Sequence, residues 1–397
     1  MTALGKKKAT VAVLGDSNTK RFGLDTPDSG WFEVLIGELQ GICGFGGAGF
    51  LAAATMGGSE DATSYTNQFS VAVPANSVDW TPNAAAGTGY NGRWIEAWGA
   101  SVARLKAAEA VTMSVTTSRG RSRATRVGVV TLNKNGATIT QPYTVSGATT
   151  ASGNLTLPAV NDASLRVDWI TLTPGVNTIT LGQPSGGDPW ICGFLFDQGD
   201  ASSGVLGYNF AHHGIRLIDD GGSSAGYWRA NLVTGIANHF NTLKSDRVLD
   251  CMICNAGQND IGSNASTVEN FVAAYREIAT RAQAAGGCVL GLQSQRVHLA
   301  NGSTLTFEQT RAAMDQVADE FPNVFAVYDE WAHLGFEEFQ PANRTISAVT
   351  VAGNAAAKGW RWDDIHYSQG FHYGRANRMM QVLMAAEIAN QGMASRI

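Results

Sequence analysis

A serine in a turn near the start of the chain is the first residue whose side chain is suited to catalysis. Ser17 lies in Gly15-Asp16-Ser17-Asn18, directly after the apolar run of residues 9–14. Such a run predicts a strand buried in a parallel sheet, and open α/β sheets place their sites beyond the carboxyl ends of these strands. A serine hydroxyl in that position can act as a nucleophile once a base takes its proton. An ordinary turn that caps the next helix is the alternative interpretation of the same residues.

A second motif, near the other end of the sequence, supplies a candidate base. Trp362-Asp363-Asp364-Ile365-His366 contains an aspartate three residues before a histidine. An aspartate at this spacing can reach back to the imidazole, fix its tautomer and stabilise the imidazolium that forms when it takes a proton. The spacing selects Asp363 over Asp364 as the partner of His366. The alternative is a helix-capping aspartate beside a structural histidine.

A third motif, Gly257-Gln258-Asn259-Asp260, follows a predicted buried strand that ends at Cys254. The side-chain amide of Asn259 can donate a hydrogen bond to a developing oxyanion, a donor whose loss typically lowers turnover by roughly 10²–10³-fold. Taken alone, this motif is also just a turn sequence. The three motifs together, each after a predicted buried strand or before the last predicted helix, indicate nucleophilic acyl transfer far more specifically.

The segments around these motifs alternate between predicted strands and predicted helices. Continuous apolar runs predict buried strands at residues 9–14, 205–210, 247–254, 288–293 and 323–329. Apolar residues spaced three and four apart predict helices at residues 267–285, 307–320 and 374–390. Strands that alternate with helices predict a parallel sheet covered by helices on both faces.

Between residues 65 and 200 the pattern changes to short segments of alternating polarity, which predict antiparallel strands. Asn135-Gly136, between two of these segments, is a strong hairpin signal. We therefore expect an inserted antiparallel β-sandwich at 65–200 and a discontinuous α/β domain made of 1–64 and 201–397. The length of 397 residues, more than one core usually contains, agrees with this division.

The chain resembles the SGNH (GDSL-like) serine hydrolases, whose four sequence blocks supply Ser, Gly, Asn and His. The first block matches at Gly15-Asp16-Ser17, with Asn18 next where the family name has leucine. The third block matches at Gly257-x-Asn259-Asp260, and the fourth at Asp363-x-x-His366. For the second block, an asparagine and a glycine after the second strand, Asn209 and Gly214 are the best match, with two histidines between them. The resemblance covers residues 9–60 and 205–390.

This resemblance implies a flavodoxin-like three-layer α/β/α fold and a serine esterase. Ser17 would be the nucleophile, His366 its base and Asp363 the partner of that base. The backbone N–H groups of Ser17 and Gly214 and the amide of Asn259 would hold the oxyanion, and no metal or organic cofactor is implied.

The chain is also similar to relatives that carry a carbohydrate-binding-like β-domain between the first and second blocks, including carbohydrate O-acetyl esterases and tail-associated phage proteins. This similarity implies an acylated small molecule or an acylated polysaccharide as the substrate. The rival interpretation is a tail or surface adhesin that keeps the fold and binds a glycan with little or no turnover.

Composition excludes several other classes of function. The formal net charge of -5 and the 15% of charged residues give no strong basic field, so we expect no nucleic-acid partner. No apolar run reaches the ~18–20 residues of a membrane-spanning helix. No signal peptide is visible, so we expect a soluble protein, cytoplasmic or, if it comes from a phage, virion-associated. The oligomeric state is left open.

Three further features have weaker functional interpretations. Cys251 and Cys254 form a C-x-x-C within a predicted strand, where positions i and i+3 point to opposite faces, so inert core thiols are favoured over a metal or redox pair. Adjacent His212 and His213 rarely share one metal ion, and lining the cleft is their expected role. The basic run 118–126 can grip an anionic polymer, although such a loop is usually just solvated.

Tryptophans of the predicted insertion are candidates for stacking on sugar rings. Most of them are expected in the core of the β-sandwich, because tryptophan is highly buried on average. They are Trp80, Trp94, Trp98, Trp169 and Trp190.

Overall fold

A computed structural model describes residues 8–16, 19, 30–52, 78–79, 102–105, 107, 113–117, 119–199, 204–211, 217, 249–255, 257, 260, 267–293, 307–329 and 373–384. The strands, numbered along the chain, are β1 Ala9–Gly15, β2 Gly49–Ala52, β3 Val78–Asp79, β4 Ala103–Leu105, β5 Met113–Thr116, β6 Arg126–Lys134, β7 Ile139–Gly147, β8 Ala151–Leu157, β9 Asn161–Thr171, β10 Asn177–Leu181, β11 Trp190–Asp197, β12 Val205–Asn209, β13 Cys251–Asn255, β14 Cys288–Gln293 and β15 Phe325–Asp329. The helices are α1 Trp31–Cys43, α2 Val268–Ala285, α3 Phe307–Glu320 and α4, residues 373–384.

A five-stranded sheet in the order β12-β1-β13-β14-β15 forms the centre of the α/β region. Every pairing in this sheet is parallel. All seven residues of β1 are buried, as expected for a central strand with both of its faces covered. The parallel sheet predicted from the apolar runs is confirmed.

The two faces of this sheet pack against different helices. Alternate residues of β1 point to opposite faces. Leu14 belongs to one hydrophobic cluster, with Tyr275 of α2, whereas Val13 belongs to another, with Leu35 of α1 and Met379 of α4. Helices therefore cover the sheet from both sides, and β1 lies between the two clusters.

Helix α2 begins and ends at residues whose chemistry explains its limits. The side chain of Thr267 accepts a hydrogen bond from the backbone N–H of Asn270, which satisfies a donor that the first turn leaves without a partner. Gly286 follows the last helical residue with φ +79°, in the left-handed conformation that commonly terminates helices. The predicted helix at 267–285 agrees with these limits.

The remaining strands form two antiparallel sheets. One has the order β5-β10-β7-β8, and the other the order β3-β4-β11-β6-β9, with β2 also paired to β11. Hydrophobic residues of both sheets, among them Val115 and Ile179 of the first and Val129 and Phe194 of the second, belong to one buried cluster. The boundaries of the insertion and its description as a sandwich remain predictions.

The hairpin predicted at Asn135-Gly136 is wrong. β6 before it pairs with β9 and β11, whereas β7 after it pairs with β8 and β10, so the connection passes from one sheet to the other. Asn135 is buried, and its backbone N–H donates to the carbonyl of Val160 at 2.8 Å. An Asn-Gly pair favours a turn through local backbone preferences, but it carries no information about the sheet that each flanking strand joins.

A buried acid links the parallel sheet to the larger antiparallel sheet. The carboxylate of Asp197, at the end of β11, is fully buried and pairs with Lys8, directly before β1, and with Arg126 of β6. The Nε of Arg126 donates to this carboxylate at 2.9 Å, and the guanidinium lies 3.7 Å from the ring centre of Trp169. The two regions therefore meet at a fixed ion cluster.

Three arginines of the basic run 118–126 pack against their own chain. Part of it is the 3-10 helix Arg119–Arg123. Arg123 lies 4.2 Å from the ring centre of Phe45, and Arg121 is half-buried, 5.9 Å from that of Phe196. The expectation of a solvated loop is therefore wrong for Arg121 and Arg126, because aromatic rings and an acid of the same chain face these guanidinium groups.

Two of the tryptophans considered for sugar binding are neither core residues nor free surface residues. Trp169 and Trp190 are half-buried, under Arg126 and Arg104 respectively. The others, Trp80, Trp94 and Trp98, lie outside the described residues. Among the helices that the structure describes, none has the length and hydropathy that crossing a membrane requires.

Candidate active site

The residues predicted to carry out catalysis lie outside the part of the chain that the structure describes. They are Ser17, Gly214, Asn259, Asp363 and His366. His212 and His213 lie outside it as well. The described residues next to three of the four motifs lie at the ends of β1, β12 and β13.

The strands that precede three of the four motifs are neighbours in the sheet. β1 lies between β12 and β13, with Val13 opposite Asn209 and Gly15 opposite Asn255. Because all three strands are parallel, their carboxyl ends lie at the same edge of the sheet. The segments that follow these strands, about 200 residues apart in sequence, therefore leave the sheet at the same edge. Open α/β sheets bind their ligands at this edge.

The turn after β1 folds back over the strand and contacts the end of β13. The backbone N–H of Thr19 donates to the carbonyl of Asp16 at 3.1 Å. The Thr19 hydroxyl accepts a hydrogen bond from the side-chain amide of Asn255 at 2.7 Å, and both residues are buried. A Cβ on Gly15 would lie 2.4 Å from that hydroxyl oxygen, so only glycine leaves room for this arrangement.

The turn after β13 packs tightly against α2. Gly257 has φ +109°, and a Cβ placed there would lie 2.8 Å from Cε1 of Phe271. The backbone N–H of Asp260 donates to the Gly257 carbonyl at 3.1 Å, which closes the turn. The glycine of Gly-x-Asn-Asp is therefore required by both backbone conformation and space.

Asp260 connects this turn to the segment that follows β12. Its side chain is fully buried, and one carboxylate oxygen accepts a hydrogen bond from the backbone N–H of Leu217 at 2.7 Å. Leu217 is three residues beyond Gly214, and Asp260 is one residue beyond Asn259. The two segments that carry the predicted oxyanion donors are thus linked through a buried carboxylate.

Asn209, at the end of β12, makes the corresponding contacts on the other side of β1. Its side-chain amide donates to Oε1 of Glu33 in α1 at 2.8 Å and to the carbonyl of Thr19 at 3.4 Å. Its side-chain oxygen accepts from the backbone N–H of Ala211 at 3.0 Å. Asn209 therefore positions the start of the second block relative to α1 and to the turn after β1.

A tyrosine beneath this edge is held in its neutral form. Burial is the main cause that raises the pKa of the Tyr275 hydroxyl well above its ordinary value, and nearby acidic groups, among them Asp260 and Asp16, raise the pKa further. Tyr275 also lies under the turn, since its hydroxyl oxygen would be 3.5 Å from a Cβ on Gly257. At neutral pH it is a hydrogen-bonding phenol and does not serve as an anionic base.

The sequence reasoning did not identify Thr19, Glu33, Asn255 or Asp260 as residues that position the site. A signal was present for Asn255, a polar residue directly after an apolar run, and for Asp260, which belongs to the Gly-x-Asn-Asp motif. Buried polar groups need hydrogen-bond partners, so such positions are candidates for contacts between turns. Their partners are too distant in sequence to be named from it.

A cavity of about 340 Å³ adjoins Asn209. Its polar lining residues include Glu33 and Gln40 of α1 and Arg121 of the 3-10 helix, and its aromatic ones are Phe32, Phe45 and Phe50. The amide of Gln40 donates to the carbonyls of Gly47 and Val205, at 2.7 and 2.8 Å, which fixes its orientation. Aromatic and polar groups, one of them cationic, therefore line a cavity along the edge strand β12, with Asn209 at the carboxyl end of that strand.

Neither a protein-family model nor a curated protein matches the sequence. Among solved structures, a peptidoglycan O-acetylesterase is similar, with a TM-score of 0.59 at 12% identity, covering 98% of this chain and 93% of that chain. A family two carbohydrate esterase from Clostridium thermocellum, in complex with cellohexaose, gives a TM-score of 0.30 at 13% identity and covers 71% of this chain and 92% of its own. A TM-score of 0.30 is too low to support a conclusion about the fold, so only the similarity to the peptidoglycan O-acetylesterase is used for it. The mixed α/β architecture matches the SGNH hydrolase fold that the motifs predicted.

Proposed function

We propose that the protein is a serine esterase that hydrolyses small acyl esters, O-acetyl esters above all, on a carbohydrate. The observation that supports this function best is the common edge of the parallel sheet at which the strands preceding three of the motifs end. Buried hydrogen bonds connect the turns after these strands, from Asn255 to Thr19 and from Leu217 to Asp260. Turns fixed in this way suit groups that must keep their positions while charge develops on the substrate.

In the proposed mechanism, Ser17 attacks the ester carbonyl while His366 takes its proton. Asp363 orients the imidazole and stabilises the imidazolium. The N–H groups of Ser17 and Gly214 and the amide of Asn259 stabilise the tetrahedral oxyanion, and the alcohol leaves with the proton from His366. Water, with His366 again as base, then hydrolyses the acyl-enzyme. These steps use no metal and no organic cofactor.

A carbohydrate ester is the proposed substrate class because a peptidoglycan O-acetylesterase has this fold. The polar lining of the cavity beside Asn209, which includes Glu33 and Arg121, also suits the hydroxyl groups of a sugar. We further propose that residues 65–200 are an inserted, carbohydrate-binding-like β-sandwich, and that 1–64 and 201–397 form the catalytic domain. The partner would then be an acylated polysaccharide or an acylated small molecule.

Steady-state kinetics of folded variants on one acetyl ester test the proposed roles. Ser17→Ala and His366→Ala should each abolish nearly all turnover, because the two side chains act as one proton-transfer unit. Asp363→Asn should lower kcat with little effect on KM, and Asp364→Asn is its matched control with a much milder effect. Asn259→Ala should lower kcat by roughly 10²-fold.

A serine-directed phosphonate, followed by mass spectrometry, identifies the nucleophile directly. A label at Ser17 supports the mechanism, and a label elsewhere or full activity of Ser17→Ala contradicts it. Retention on a glycan array without turnover of any acetyl ester would support the adhesin interpretation. Activity should survive prolonged treatment with a chelator, and a bound metal whose removal and return abolish and restore turnover would overturn the proposal.

A further inference from the structure

Two cysteines that are far apart in sequence occupy paired positions on neighbouring strands. Cys251 begins β13 and Cys288 begins β14, and their Cα atoms are register partners in the parallel ladder. Neighbouring strands lie about 4.8 Å apart, within the range of about 4.4–6.8 Å between Cα atoms that a disulfide spans. Both cysteines are free thiols in the structure.

Both side chains point to the same face of the sheet. Along each strand, Cys251 shares a face with Ile253 and Cys288 shares a face with Leu290, and both of these neighbours lie in or against the hydrophobic cluster under α1 and α4. Cys254, the other member of the C-x-x-C motif, belongs to the cluster on the opposite face. Cys251 is therefore close in space to Cys288, and it is not paired with Cys254, its partner in the C-x-x-C motif.

The two thiols differ in exposure and in acidity. Cys288 is exposed, and its Sγ donates to the backbone carbonyl of Asp250 at 3.2 Å, whereas Cys251 is half-buried. The neighbouring Cys251 thiol lowers the pKa of Cys288 to about 7. Interaction with Cys288, followed by burial, raises the pKa of Cys251 well above its ordinary value. At neutral pH Cys288 is thus the thiol that solvent reaches and that ionises first.

We propose that Cys251 and Cys288 form a redox-active dithiol that reacts with low-molecular-weight disulfides, with Cys288 as the attacking thiol and Cys251 as the resolving thiol. The pair lies at the amino ends of the strands, the edge of the sheet opposite the candidate active site. The inference does not depend on the proposed esterase activity.

The chemistry is a balanced thiol–disulfide exchange. The Cys288 thiolate attacks one sulfur of the small disulfide, which leaves Cys288 in a mixed disulfide and releases one small thiolate. Cys251 then loses its proton and attacks Sγ of Cys288, forming the protein disulfide and releasing the second small thiolate. The two released thiolates take up the two protons. The first step removes the charge on Cys288, which lowers the pKa of Cys251 for the second step.

The test uses the full-length reduced protein under native conditions with glutathione disulfide as the probe. Intact mass should show the loss of two hydrogens without a retained glutathione, and peptide mapping should find Cys251 linked to Cys288. A lasting glutathione adduct on the wild-type protein, or no reaction at Cys288, would overturn the proposal.

Single substitutions separate the roles of the two thiols. Cys251→Ser should stop at a stable glutathione adduct on Cys288, and Cys288→Ser should lose the reaction. Cys254→Ser is the matched control and should behave as the wild type. Alkylation of Cys288 by iodoacetamide, which needs no variant, should reach half of its maximal rate near pH 7. A half-maximal rate at the ordinary pKa of a free thiol would contradict the effect of Cys251 on the acidity of Cys288.

Discussion

Replacing Gly257 with alanine tests whether the turn after β13 is held rigidly against α2. Gly257 has φ +109°, and the new Cβ would lie 2.8 Å from Cε1 of Phe271. Phe271 cannot easily recede, because its side chain is buried and its ring centre lies 5.8 Å from that of Tyr275. Alanine at this position therefore meets both an unfavourable backbone conformation and a filled core.

The expected loss follows from these two contributions. A positive φ costs a residue with a Cβ about 1–2 kcal/mol, and inserting a methyl group into a packed core costs about 1–3 kcal/mol. Gly257→Ala should therefore lower the free energy of unfolding by about 2–5 kcal/mol. Gly286→Ala is the matched control, because Gly286 has φ +79° and no atom within 4 Å of its added Cβ. Gly286→Ala should lower the free energy of unfolding only by the cost of the positive φ, about 1–2 kcal/mol.

Urea unfolding followed by circular dichroism measures both losses. Phe271→Leu removes the ring edge that faces the new methyl group, so in that background Gly257→Ala should cost about as much as Gly286→Ala. Equal losses for the two glycine variants in the wild-type background would show that α2 does not confine this turn. Hydrolysis of an acetyl ester by the folded fraction shows whether the displaced turn also lowers turnover.

Other contacts give further expectations. Thr19→Val removes the acceptor of the buried Asn255 amide and should lower the free energy of unfolding by about 1–3 kcal/mol. Thr19→Ser retains the hydroxyl and is the control. Equal urea midpoints for the two variants would contradict this expectation. Arg276 lowers the pKa of Glu320 to about 2, below its ordinary 4.5, so the stabilisation is complete above pH 4.5 and is lost as pH falls through about 2. The thermal midpoint of the wild type should therefore fall more steeply over this range than that of Glu320→Gln, and parallel curves would refute the coupling. Gly37→Ala, in an exposed turn of α1 with open space around the added Cβ, should raise the free energy of unfolding by about 0.5–1 kcal/mol, and an unchanged or lower value would count against it.

The α/β elements could be predicted closely because their signals are local. β14 and α3 have the bounds that the sequence predicted, 288–293 and 307–320. A continuous apolar run marks a strand buried on both faces, and apolar spacings of three and four mark one face of a helix. The sequence predicted a strand from residue 247, but the strand begins at Cys251. The residue before it, Asp250, accepts a hydrogen bond from the backbone N–H of Thr10 through its carboxylate, at 2.9 Å.

The contacts that position the candidate site could not be predicted, because they join residues from distant parts of the chain. Thr19 and Asn255 are 236 residues apart, and Asp260 meets the backbone of Leu217 across two different turns. Periodicity shows which face a residue occupies but not which strand lies beside it. The same limit explains why Cys254 was considered as the partner of Cys251, although Cys288 is the register neighbour.

The buried ion cluster at Asp197 contributes more to the relative position of two strands than to the stability of the fold. Moving a carboxylate and two cations out of water costs several kcal/mol per ion, so apolar residues of the same shape often stabilise a fold as much as such a cluster or more. What Lys8, Asp197 and Arg126 do provide is a fixed position of β11 relative to β1. Arg121 precedes Arg126 by five residues and reaches the cavity beside Asn209. The cluster therefore fixes the part of the antiparallel region that carries Arg121 against the parallel sheet.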